Sequence, residues 1–287
     1  MGVLAAAPWS DDLFVGGDDD GTAHVFSLGR RQEVASFPTV YEGRGRRIAL
    51  VPGAPPVVVA GAWTRSGVCG YDALAGRLLW RRPDLRRVQQ IRALTAELAG
   101  VRLEGQPACV LSVSTGREMA RSTAVRQVLA LSSGRSLLAG QRWVAVADAD
   151  LAPVRRVPLE SFAVVDGALS PEGAAVSEAG GILRILGPAG DVVGRWAGPA
   201  GSVGQVAWDK AGQRWLCVAR PALETACLLR LSPDAGTADR LGIGQVRSAA
   251  FFGDGCHLAV ARFGAPRRAE VLLTDTGTAE WEVDASA

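Results

Sequence analysis

Gly17-Asp18-Asp19-Asp20-Gly21-Thr22-Ala23-His24-Val25-Phe26-Ser27-Leu28 is the stretch on which the fold turns. A polar turn closed by glycine leads into a short apolar run of Ala, Val and Phe. Such a run, bounded by turn residues, reads as a strand leaving a hairpin rather than as a helix. A second kind of copy is Val68-Cys69-Gly70-Tyr71-Asp72-Ala73-Leu74-Ala75-Gly76-Arg77-Leu78-Leu79-Trp80: a strand, a glycine-bearing turn and another strand.

Outward from these two copies the same grammar repeats. The turn between first and second strands occurs as Ser10-Asp11-Asp12, Pro52-Gly53-Ala54, Thr95-Ala96-Glu97, Ser132-Ser133-Gly134-Arg135, Ser170-Pro171-Glu172-Gly173, Asp209-Lys210-Ala211-Gly212 and Gly253-Asp254-Gly255. Successive starts are 37 to 44 residues apart, the spacing of a four-stranded propeller blade. Valine-rich runs flank each turn: Val3 to Ala7, Arg47 to Val51, Val125 to Leu131, Val164 to Leu169, Val203 to Trp208 and Val246 to Phe252 before it. After it come Leu13 to Val15, Val57 to Ala60, Ser136 to Ala139, Ala174 to Val176, Trp215 to Ala219 and His257 to Ala261. Third and fourth strands recur around Thr115-Gly116, Ala189-Gly190, Ala235-Gly236 and Thr276-Gly277. The reading is an all-β, seven-bladed β-propeller with four antiparallel strands per blade, occupying residues 1–287 as a single domain.

Residues 17–28 resemble the core of a WD40 blade, with Phe26-Ser27 where that family prefers Trp-Asp. Residues 68–80 and 271–281 resemble quinoprotein-type repeats, which close on an Asp, a Thr-Gly-like turn and a tryptophan. Both families are propellers, so the two resemblances imply one architecture. The Asp-His-Ser/Thr-Trp tetrad of WD40 repeats cannot be assembled in any copy. Two places resist the pattern. Leu85, Val88, Ile91, Leu94 and Leu98 stand at helical spacing, whereas the repeat register asks for a strand near Gln89 to Leu94. The register also begins at a first strand and ends at a fourth. No terminal strand is then left to swap, and the first and last blades are expected to meet by side-chain packing.

Composition narrows the function. The chain has 31 basic and 29 acidic side chains and a net charge of +2, giving no global pull toward nucleic acid or an anionic membrane. Lys210 is the only lysine and asparagine is absent, the GC-rich, bacterial-type pattern of arginine use. Arg81-Arg82, Arg86-Arg87, Arg155-Arg156 and Arg267-Arg268 are dispersed over different repeats rather than forming one stripe. Cys69, Cys109, Cys217, Cys227 and Cys256 lie in or beside apolar stretches without CxxC spacing, and read as small buried hydrophobes of a reduced, cytoplasmic protein. The N-terminal residues show no basic segment followed by an apolar core, so no secretion signal is expected, and no apolar run nears the ~18 residues of a membrane helix.

Enzymatic motifs are missing: no Gly-x-Ser-x-Gly, no His-Glu-x-x-His and no phosphate-binding Gly-x-x-x-x-Gly-Lys-[Ser/Thr]. Asp18-Asp19-Asp20 reads as a polar hairpin turn rather than a calcium loop. No catalytic, metal or cofactor site is expected, and the tryptophans in strand patterns read as core. What remains is the end of the second strands. Trp63 and Arg65, Arg142, Arg220, and Arg262 with Phe263 all fall there, in the composition favoured at protein contacts. The expected function is a non-catalytic scaffold, a monomeric ring within a larger assembly, binding protein partners, an acidic segment among them, through these residues. The alternative is a propeller enzyme, or a small-ligand or metal-binding propeller, acting through the central channel.

Overall fold

A computed structural model describes residues 3–6, 12–40, 46–63, 67–132, 134–148, 155–198, 201–221, 225–233, 236–263 and 268–284. They form seven four-stranded antiparallel sheets, each built from four consecutive strands, the blades of a seven-bladed β-propeller. The blades span 3–38, 46–82, 88–122, 127–158, 164–197, 201–244 and 246–284, numbered here 1 to 7. The chain divides into two compact units. One comprises blades 1 to 3 with most of blade 7. The other comprises blades 4 to 6 with the turn Thr274–Gly277.

Within each unit, first strands of neighbouring blades lie against one another, and fourth strands such as Val192–Ala197 are largely exposed. Second and third strands are covered on both faces. This is why Val57–Ala62, with every residue buried, reads as a continuous apolar run. Alternate side chains serve different neighbours. Val58 and Ala60 join the core shared with blade 1, while Val57 and Val59 join the core shared with blade 3. Blade 5 does the same, with Ala174 and Val176 toward blade 4 and Ala175 toward blade 6. Each such buried Val contributes roughly 1.5–3 kcal/mol.

The turns between third and fourth strands are built alike. Gly76 and Gly116 take positive φ of 65° and 67°, and their N–H groups close onto Asp72 and Ser112 carbonyls at 2.9 and 2.8 Å. A side chain from the preceding blade lies on each glycine: Phe37 on Gly76 and Trp80 on Gly116, where an added Cβ would meet Phe37 Cβ at 2.8 Å and the Trp80 ring at 2.6 Å. Trp80 also donates Nε1–H to the Val113 carbonyl at 2.5 Å. In the other unit Leu241 covers Gly277 in the same way.

The segment at helical spacing is a strand, Val88–Ala93, followed by Leu98–Leu103. Its pairing slips by one residue, Arg102 opposite Gln90 and Leu103 opposite Val88. The bulge lets Val88 and Ile91, three apart, both reach the core shared with blade 2 and so imitates a helical period. The weakest of the seven turns, Thr95-Ala96-Glu97, is present, its Thr95 Oγ1 accepting from Glu97 and Leu98 N–H at 3.2 and 3.1 Å.

Blades 7 and 1 exchange no strand among the described residues. They meet through Leu4, Phe14, Phe26, Phe252 and Ala261. Phe14 stacks on Phe26 at 4.9 Å and meets Phe252 edge-on at 5.6 Å. Leu4 N–H donates to Ser248 Oγ at 3.0 Å, and two ion pairs flank the seam, Arg247–Asp19 at 3.0 Å and Arg31–Glu280 at 3.2 Å.

The five cysteines form no disulfide. Four are buried as expected, but Cys256 is exposed. It sits in the turn organised by Asp254, whose Oδ1 accepts from Cys256 N–H at 2.8 Å, so its side chain follows the turn outward instead of a strand inward. Trp208 and Trp215 are buried. Trp80, Trp143, Trp196 and Trp281 are only half-buried, because each of them covers a turn or a seam from its rim.

Candidate functional site

All the second-strand ends that carry candidate residues precede the turn to the third strand. In the first unit Trp63 follows Val57–Ala62 and Phe263 follows His257–Arg262. Both are held out, 47% and 62% exposed. Arg262 behaves differently. Its Nε and Nη2 donate to Glu270 Oε2 at 3.0 and 2.5 Å, so its charge is matched from the third strand of its own blade. Arg65 lies outside the described residues. In the second unit Arg142 is exposed in the turn after Arg135–Ala139, and its carbonyl accepts from Leu159 N–H at 3.0 Å. Arg220 differs, lying within the strand Arg214–Pro221 and opposite Ser202 in the ladder. Trp63, Arg262 and Phe263 thus lie at second-strand ends of one unit, whereas in the other Arg142 lies in the turn beyond its strand and Arg220 within its strand.

Two polar constructions escaped the sequence reading. In blade 1, His24 is buried, 3% exposed, with a carboxylate on each ring nitrogen: Asp18 Oδ2 3.2 Å from Nε2 and Glu33 Oε1 3.0 Å from Nδ1. Burial disfavours the imidazolium, but hydrogen bonds to Asp18 and Glu33 and their charge outweigh it and hold His24 above the ordinary imidazole value. Burial likewise pushes the Asp18 carboxyl up, and the His24 contact more than offsets this, leaving it below its usual range. The two carboxylates lie on opposite sides of the ring, so the three groups do not converge on one point as metal ligands would. The acidic run thus splits: Asp18 goes inward to His24, Asp19 pairs with Arg247, and Asp20 Oδ1 accepts from Thr22 N–H at 2.9 Å to close the turn.

In blade 5, Arg184 and Glu178 form an ion pair at 2.5 Å with side chains 5% and 0% exposed. Arg184 also donates to the Pro158 carbonyl at 2.6 Å. Glu178 Oε2 accepts from the N–H groups of Glu160 and Ser161, both at 2.9 Å. A sequence signal existed: Arg184 is the lone charge inside the apolar strand Ile182–Leu186, and such a charge needs a buried partner.

These blades and turns define the seven-bladed β-propeller fold, which solved WD40-repeat structures share. The structure of U3-55K is similar over 90% of this chain and 87% of that one, with a TM-score of 0.65 at 13% identity. The crystal structure of RRP9 WD40 repeats is similar over 90% and 86%, with a TM-score of 0.66 at 13% identity. At that identity the likeness speaks for the fold. No family model matches the chain, and no curated protein matches it.

Proposed function

We propose that the protein is a non-catalytic propeller scaffold that binds protein partners through the ends of its second strands and the turns that follow. The observation that carries this is the pair Trp63 and Phe263, large aromatic side chains 47% and 62% exposed, each the first residue after the second strand of its blade, 2 and 7. Exposed aromatics on a closely packed support bind at low conformational cost. The absence of any disulfide supports a reducing, cytoplasmic setting, within an assembly of which the chain is one component.

The test is recovery of cross-linked partners from the native host with Trp63→Ala and Phe263→Ala. These positions are cleaner than Arg262, whose reversal would also break the Glu270 pair. The double variant is expected to lower recovery of at least one partner by roughly tenfold, the effect of losing one hot-spot aromatic. Undiminished recovery of every partner rejects these turns as the contact.

A further inference from the structure

Blade 4 has the shortest fourth strand, Val157–Pro158, paired only with Trp143 and Val144. The Trp143 ring is half-buried there, and the Arg156 guanidinium lies over it, 4.7 Å from the centroid. Arg142 is the residue just before Trp143. After Val157–Pro158 the chain enters the loop to blade 5, whose Leu159 N–H is tied to the Arg142 carbonyl. This loop is anchored from below, because Glu160 and Ser161 N–H groups both bond the buried Glu178 carboxylate. Ser161 Oγ donates to the Ala163 carbonyl at 3.1 Å. On that anchored loop Phe162 stands 79% exposed.

The local charge is one-sided. Arg195 clasps Glu160 with two nitrogens at 2.8 to 3.1 Å, and Arg184 engages Glu178 and, at 3.8 Å, Glu160. Both carboxylates of the loop region are thereby used, and among the described residues Arg142 and Arg156 have no ion pair. An exposed aromatic on the loop that Leu159 ties to Arg142, together with two such arginines, one of them already oriented by a stacked indole, is complementary to a chain that carries carboxylates and an apolar side chain together.

We propose that Arg142, the Arg156–Trp143 stack and Phe162 form a docking surface for an extended acidic peptide segment of a protein partner, with an apolar side chain seated on Phe162. This rests on the scaffold reading and adds the chemistry of the partner, on residues other than Trp63 and Phe263. A peptide is favoured over nucleic acid because the cationic surface is short, two arginines and not a stripe.

The experiment is fluorescence anisotropy on the full chain with three labelled probes: a peptide of alternating Glu and Asp around one Leu, its Gln/Asn counterpart, and oligouridylate. The acidic peptide is expected to bind about tenfold or more tighter than the amide version, with affinity falling as salt rises. Arg142→Glu with Arg156→Glu should abolish that preference. Phe162→Ala should weaken the Leu-bearing peptide several-fold and leave a peptide with Ala in its place unchanged, while Arg117→Glu, exposed on blade 3, should change nothing. Thermal unfolding of each variant establishes that it is folded. Equal binding of acidic and amide peptides, indifference to the reversals or to Phe162→Ala, or preference for oligouridylate overturns the proposal. Such a failure alongside partner loss in Trp63→Ala and Phe263→Ala would leave the scaffold reading standing; the reverse pattern would separate the two in the other direction.

Discussion

His24 is the residue whose surroundings make the sharpest solution prediction. Its raised pKa means that its contribution to stability is complete below the ordinary imidazole value of 6.5 and is lost as pH rises through the higher folded value. Asp18 works in the opposite sense: its contribution is complete above 3.8 and fades as pH falls through its depressed folded value. Urea unfolding between pH 5 and 9 should therefore show wild-type stability declining on the alkaline side. His24→Gln should be less stable at pH 5.5 and should lack that share of the decline. Parallel curves would remove His24 as the cause. Glu178→Ala leaves Arg184 buried without its carboxylate and should cost about 3–5 kcal/mol, read from the denaturation midpoint. A loss below ~1 kcal/mol would mean that Glu160 swings in to replace it. Little of this was legible in the sequence. Asp18 and His24 are six apart, across a tight turn, and only the ladder placing Gly17 opposite Ala23 brings them together. Trp63, Phe263 and Arg142 were legible as candidates because they follow recognisable apolar runs. Phe162 was not, since it follows a fourth strand of two residues with no periodic signal.

Strands and turns were far more readable than contacts, for a physical reason. A second strand covered on both faces has no polar positions, so runs such as Val57–Ala62 and Trp215–Ala219 announce themselves. Turns need Gly or Asp at fixed places. With asparagine absent, aspartate does the local hydrogen bonding: Asp72 Oδ1 accepts from Leu74 and Ala75 N–H, and Asp209 Oδ1 from Ala211 and Gly212. The exception, residues 84–98, misleads because a bulge changes the spacing of inward side chains from two to three. Gly116→Ala tests the turn rule. The new methyl would need a left-handed backbone costing ~1–2 kcal/mol and would press into the Trp80 ring, overpacking worth ~1–3 kcal/mol. A combined loss of roughly 2–5 kcal/mol is expected in chemical denaturation, whereas Gly105→Ala, with the same sign of φ but nothing within 4 Å of its added Cβ, should lose only the backbone share. Equal losses would show that Trp80 yields.

Within the first unit the packing is a succession of separate apolar layers, one between each pair of neighbouring blades, and the layer joining blades 7 and 1 is made of the same materials as the rest. Phe14 is its centre, touching Phe26, Phe252 and Trp281. Phe14→Ala should destabilise by about 3–5 kcal/mol, and hydrogen exchange should show the loss concentrated in blades 1 and 7, with blade 3 slower to respond. Uniform acceleration would indicate that the unit unfolds only as a whole. That each sheet is drawn from one uninterrupted stretch of chain has a genetic corollary. A segment encoding about forty residues can be duplicated, deleted or exchanged at its borders without orphaning a partner strand elsewhere, so what ties one module to the next is side-chain packing and not strand pairing.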